Sequence, residues 1–80
     1  MKDEIGKNVY RNLLYFYKNK IPVHFKTLKD SWHNGIIIDL NEKELTLVLR
    51  EYLQGEIPFL LEEINPDKIS KYRDKGEYYD

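Results

Sequence analysis

The sequence contains no cysteine, so neither a disulfide framework nor a thiolate metal site can form. A chain without cysteine is typical of a reducing, intracellular setting. This sequence also lacks any apolar run long enough to cross a bilayer as a helix. The N-terminal MKDEIGKNVY carries acidic side chains and no apolar run, which argues against a signal peptide. We therefore expect a cytoplasmic protein without membrane association.

An excess of charge of one sign is also missing. The chain has 13 basic and 14 acidic residues and a net charge of −1. Without a net positive charge, only a local basic patch could attract nucleic acid. Its 41% hydrophobic and 34% charged residues are typical of a soluble globular chain, and 80 residues suffice for one domain with a small core.

An amphipathic helix is predicted over residues 3–18. Apolar side chains recur there every three to four positions, at Ile5, Val9, Leu13 and Phe16 or Tyr17. Asp3 is positioned to cap the helix, and Lys18 lies where a cation favours the C-terminal end of the helix dipole. We expect this helix to cap the rest of the fold or to pack against a partner chain.

After Lys20 the apolar period changes to two, which indicates β-strands. The predicted strands cover residues 21–26, 35–40, 45–49, 56–61 and 69–72. The intervening KDSWHN is predicted to be a turn, and Asn-Pro-Asp within residues 62–68 indicates a turn with a single 3₁₀ step. The predicted fold class is mainly β with one α-helix: the N-terminal helix, a strongly bent five-stranded small barrel over residues 21–72, and a flexible tail over residues 73–80.

The order of these segments resembles a known family. The helix followed by VHFK, NGIIIDL, LTLVL, GEIPFLLEEI and ISKY is similar to the Sm-like and broader Src-homology-3-like small barrels. The most specific features are a glycine that opens the second strand, an acidic residue near the end of that strand, and the Gly-Glu-x-Pro-aliphatic fourth strand.

The resemblance implies a ring-forming protein that binds single-stranded RNA, often uridine-rich. It assigns the RNA pocket to Asp39, Asn41 and Gln54. Leu40 stands where family members usually carry a stacking residue, and Gln54-Gly55 stands where Arg-Gly is common.

The only tryptophan, Trp32, lies in the segment predicted to be a turn. Together with His33, Lys26 and Lys29 it could form a base-stacking platform beside cations that bind phosphate, as in many single-strand binders. It could instead pack over the barrel mouth or the helix, since a large aromatic contributes much to a small core. A third interpretation places Trp32 in a subunit interface, where tryptophan is enriched.

The remaining polar residues give no catalytic pattern. His24 and His33 could be combined with Asp30 or Asp39 into a metal site or an acid–base pair, but their spacing matches no ligand motif. We therefore expect no enzyme activity, no metal and no cofactor.

Two functions follow as hypotheses. The first is an oligomeric Sm-like module that binds single-stranded RNA, and its candidate residues are Lys26, Lys29, Trp32, His33, Asp39, Asn41 and Gln54. The second is a protein-interaction or assembly module without a nucleic-acid ligand, which contacts partners through the N-terminal helix or the C-terminal tail.

Overall fold

A computed structural model describes residues 2–51 and 53–72 of the chain. One helix precedes the strands, and a single 3₁₀ turn separates the last two. The elements are α1 (Lys2–Asn19), β1 (Val23–Thr27), β2 (Trp32–Asn41), β3 (Thr46–Glu51), β4 (Gly55–Leu60), the 3₁₀ turn Leu61–Glu63 and β5 (Ile64–Lys71). The predicted composition, mainly β with one N-terminal helix, is confirmed. The predicted tail over residues 73–80 lies outside the described residues.

The strands form one antiparallel sheet in the order β4-β3-β2-β1-β5. The long strand β2 is shared between two groups of strands. Its residues 32–35 pair with β1, and its residues from Ile36 onward pair with β3. We call β5, β1 and residues 32–35 the N-terminal half-sheet, and residues 36–41, β3 and β4 the C-terminal half-sheet.

Gly35 lies at the junction of the two half-sheets. A Cβ atom at this position would lie 2.3 Å from the carbonyl oxygen of Arg50 on β3, which is far inside van der Waals contact. Glycine is therefore required by the close approach of the two backbones. Two residues later the pairing of β2 with β3 shifts between Ile37 and Asp39. Such an irregularity bends a strand, so β2 changes direction where it passes from one half-sheet to the other.

The core lies between the two half-sheets and α1. Its fully or nearly fully buried apolar residues are Val9, Leu13, Val23, Phe25, Ile37, Leu40, Leu47, Leu49, Leu61 and Ile64. Phe25 on β1 and Phe59 on β4 meet edge to face with ring centroids 5.3 Å apart, although β1 and β4 do not pair. The bent sheet therefore brings its two groups of strands around a common interior.

The helix begins one residue earlier than predicted, so Asp3 lies in its first turn, where an acidic side chain still favours the dipole. It ends in a Schellman motif. Lys20 has a positive φ of 53°, its N–H donates to Tyr17, and the N–H of Ile21 donates to Phe16. Gly6 is buried against Leu45, with only 3.1 Å between a would-be Cβ and the leucine Cδ1. The helix thus packs closely over the β2–β3 connection.

Two local predictions were wrong. The KDSWHN segment is not a turn beyond Ser31, because Trp32, His33 and Asn34 belong to β2. The turn is complete by Asp30, whose positive φ of 66° reverses the chain, and the N–H of Thr27 then donates to the carbonyl of Ser31.

The second error concerns Asn-Pro-Asp: the predicted 3₁₀ turn before the last strand is present at Leu61–Glu63, but Asn-Pro-Asp lies inside β5 rather than in that turn. The pairing of β5 with β1 is irregular there, and the N–H of Asp67 donates to the Asn65 side chain. Residues that are typical of turns therefore form a bulge within a strand here.

Candidate nucleic-acid interface

Four side chains of β1 and β2 share the face of the N-terminal half-sheet that points away from the core. The register pairs Lys26 with Trp32 and His24 with Asn34, whereas Phe25 and His33 point to the opposite face. We call His24, Lys26, Trp32 and Asn34 the indole platform. Strand alternation alone places these residues together once β2 is known to begin at Trp32.

The central feature of the indole platform is a parallel ring stack. The imidazole of His24 and the indole of Trp32 are 4.2 Å apart between centroids and inclined by only 7°. His24 is 8% exposed, because the indole covers it from outside, whereas Trp32 itself remains partly exposed. Nδ1 of His24 donates to Oδ1 of Asn34, which fixes the orientation of the imidazole. The indole therefore rests on a rigid support.

A cation lies beside the stack. Nζ of Lys26 is 5.6 Å from the centroid of the Trp32 ring, within the range of a cation–π contact. The same ammonium group is 3.2 Å from the carboxylate of Asp30, which is highly exposed. An exposed ion pair of this kind contributes little to stability, so the ammonium group can readily exchange the Asp30 carboxylate for another anion. Lys26 can therefore keep its contact with the indole and still offer charge to an anion.

His33 belongs to a different environment. It packs against Phe59 and Phe25, with centroid distances of 4.8 and 5.9 Å. Its Nδ1 is 2.7 Å from the Glu51 carboxylate, and both side chains are largely buried. His33 thus links β2 to the end of β3 on the core side of the sheet and is not part of the indole platform.

Three further candidates are not members of the indole platform. Lys29 is exposed in the β1–β2 turn. Asp39 is exposed on β2, and Asn41 ends that strand, where its side-chain oxygen accepts the N–H of Glu44. Asn41 therefore caps the connection to β3. It lies nine positions along the strand from Trp32, a contour of about 30 Å.

Gln54 is exposed and lies directly before β4. It lines a groove of about 590 Å³ together with Pro22, Asn34, Gly35 and Tyr72. Asn41 and Gln54 lie near opposite ends of β3. Asn41 pairs with Thr46 at the start of β3, whereas Gln54 comes three residues after Glu51, where β3 ends. Gln54 is therefore not brought together with Asp39 and Asn41, the other two residues assigned to the pocket by resemblance, whereas Lys26 and Trp32 are brought together.

The sequence analysis missed His24 and Asn34 as members of the platform. His24 was considered as part of a metal site or an acid–base pair, and Asn34 was placed in the predicted KDSWHN turn. The alternation of His24 and Lys26 on one strand with Trp32 and Asn34 on the next would have indicated a common face, had the turn been placed at residues 28–31.

Comparison with known proteins gives no match, whether to family models, to curated proteins or to solved structures. In residues 2–51 and 53–72, no helix has the length and apolarity needed to span a membrane. The same residues contain no group of three or more histidine or acidic side chains arranged to hold a metal ion.

Proposed function

We propose that this chain is a small Sm-like barrel that binds single-stranded RNA through the indole platform. The observation that carries the proposal is the parallel stack of Trp32 on a hydrogen-bonded His24, with the Lys26 ammonium group alongside. A supported, partly exposed indole offers a surface on which a base can stack, and the adjacent cation can approach a phosphate. Both interactions suit a single strand, since its bases are not enclosed in a duplex.

The bent geometry of β2 supports the barrel part of the proposal. A strand that is shared by two half-sheets, with a required glycine at the junction and an irregular pairing after it, is the device by which small sheets curl. The contact of Phe25 with Phe59 across the interior fits the same geometry. A closed barrel would need hydrogen-bonded pairing between the edge strands β4 and β5, and these strands are not paired within the described residues.

Assembly through these edge strands is the second candidate function. β4 and β5 end the sheet, and Leu60 on β4 is 46% exposed. Unpaired edges can add a strand from another copy or another protein. Each edge strand contains one proline, Pro58 in β4 and Pro66 in β5, which removes a donor and limits the length of pairing. Assembly of this kind would therefore use only part of each edge.

The test is the affinity of single-stranded RNA for the Trp32→Ala variant. Loss of one base stack is worth about 1–3 kcal/mol, so affinity should fall by roughly 5- to 150-fold. A labelled RNA of mixed sequence, followed by fluorescence anisotropy, gives the affinity. The matched control is Leu53→Ala, because Leu53 is an apolar side chain that is 87% exposed and lies outside the platform.

Because Trp32 is the sole tryptophan, its fluorescence reports directly on the platform. RNA should quench it in the unmodified protein. Unchanged affinity in a folded Trp32→Ala variant would contradict the platform as the binding site. Light scattering with and without RNA addresses the second candidate: an oligomer that is indifferent to RNA would favour assembly as the function.

A further inference from the structure

The charges of this chain are segregated, although they almost cancel in total. Residues 5–29 carry no acidic side chain, and their cations are Lys7, Arg11, Lys18, Lys20, Lys26 and Lys29. Residues 30–67 carry nine acidic side chains and only two basic ones, Lys43 and Arg50. A net charge of −1 therefore conceals a basic segment, which forms most of α1 and all of β1, and an acidic segment, which forms most of the remaining sheet.

Three of the cations form a line on α1. At 3.6 residues per turn, Lys7, Arg11 and Lys18 fall within a sector of about 40° and extend over about 16 Å of the helix. This sector is opposite the side that buries Val9 and Leu13, and all three side chains are exposed. None of the three forms an ion pair with another described residue, although Asp3 and Glu4 lie four and three positions before Lys7 on the same helix. We call these three cations the helix stripe.

The surroundings of the helix stripe are polar and partly concave. The exposed side chains of Asn8, Asn12 and Tyr15 lie beside it, and Tyr15 is 63% exposed. A groove of about 690 Å³ runs between the helix and Pro66 of β5, and Lys7, Asn8 and Arg11 line it together with Glu4 and Ile5. Glu4 is the one acidic residue of this groove and lies at its N-terminal end. Amide and phenol groups beside cations can contact bases and sugars while the cations contact phosphates.

We propose that the helix stripe is a second contact surface for single-stranded RNA, which binds the phosphate backbone outside the indole platform. This inference rests on the proposed RNA-binding function and adds the residues that supply its electrostatic part. The stripe has cations that form no ion pair with a described residue, a linear arrangement and an adjoining groove, and a flexible polyanion matches all three. The indole platform supplies stacking but only the partly compensated charge of Lys26.

The test is the salt dependence of RNA affinity in the full chain. The variant Lys7→Gln/Arg11→Gln removes two charges and keeps long side chains that favour a helix. For single strands the slope of log affinity against log salt is about −0.7 for each phosphate contact, so the slope should become shallower by about 1.4. The matched control is Lys43→Gln/Arg50→Gln, which changes net charge equally within the acidic segment and should leave the slope nearly unchanged.

The outcomes separate this inference from the proposed function. A shallower slope in the helix variant alone supports the helix stripe. If both double variants change the slope equally, the change is due to the total charge of the protein rather than to the helix stripe, and the inference is overturned. RNA binding with an unaltered slope in the helix variant would also overturn it, while leaving the indole platform intact.

Two further results would count against the inference. If the unmodified protein binds no RNA at any salt concentration, the proposed function fails and the helix stripe fails with it. If the helix variant changes the mass measured by light scattering without RNA, the surface contacts a second copy instead. Circular dichroism of each variant establishes that the helix is retained.

Discussion

The two half-sheets share one core but present opposite chemistry to solvent. The N-terminal half-sheet, together with α1, carries the helix stripe and the indole platform. The C-terminal half-sheet and its connections carry Glu42, Glu44 and Glu56, and its basic residue Arg50 is paired with Glu56 at 3.3 Å. The comparison shows that net charge is a poor guide to the local charge of a small domain, since cations and carboxylates can be concentrated in different segments.

The largest expected effect comes from the contact that joins the two half-sheets through the core. Phe25 is fully buried and meets Phe59 from the other half-sheet. Phe25→Ala should lower the free energy of unfolding by about 4 kcal/mol, because it removes buried area and leaves a cavity. Denaturant unfolding measures this change. Leu28→Ala is the control, because Leu28 is 56% exposed and should change stability by only about 0.5 kcal/mol or less.

A second change acts on the junction rather than the core. Gly35→Ala should cost about 3 kcal/mol, because the added methyl group would overlap the Arg50 carbonyl oxygen and force β2 and β3 apart. The matched control is Gly55→Ala. Gly55 has a φ of 76° but open space around its Cβ position, so the cost there should be about 1 kcal/mol. Equal costs at the two glycines, measured by thermal and denaturant unfolding, would mean that β2 and β3 relax without strain.

The smallest change concerns the outward face of the N-terminal half-sheet. His24→Ala leaves the Asn34 oxygen without its donor and removes the support of the indole. It should therefore cost about 1–2 kcal/mol and increase the mobility of Trp32. Denaturant unfolding gives the stability change, and the steady-state anisotropy of Trp32 fluorescence gives its mobility. Anisotropy equal to that of the unmodified protein would show that the indole is held by other contacts.

Much of the architecture could be predicted because it follows from local periodicity. The apolar spacing of Ile5, Val9 and Leu13 predicted the helix to within one residue at each end. The alternation of Val23 and Phe25 predicted β1, which begins two residues later and ends one residue later than predicted. These patterns are reliable because the period of a helix or strand is set by the backbone and does not depend on the rest of the chain.

The candidate site was predicted less well, for a different reason. Strand pairing, not sequence proximity, decides which side chains meet. Trp32 and His33 are neighbours in sequence but lie on opposite faces, whereas Trp32 and His24 are eight positions apart and stack. A displaced turn boundary was enough to hide this relation, because the face of every residue in β2 depends on where that strand begins.

The sequence by itself determined the helix, the approximate strands, the absence of cysteine chemistry and the segregation of charge along the chain. These properties are local or additive, so they can be counted before folding is considered. Only the tertiary structure decided that Gly35 is required by the Arg50 carbonyl, that His24 supports Trp32, and that Asn41 and Gln54 lie apart. Each of these depends on contacts between segments that are distant in sequence, and such contacts form only when β2 bends and pairs with a different strand on each side of Gly35.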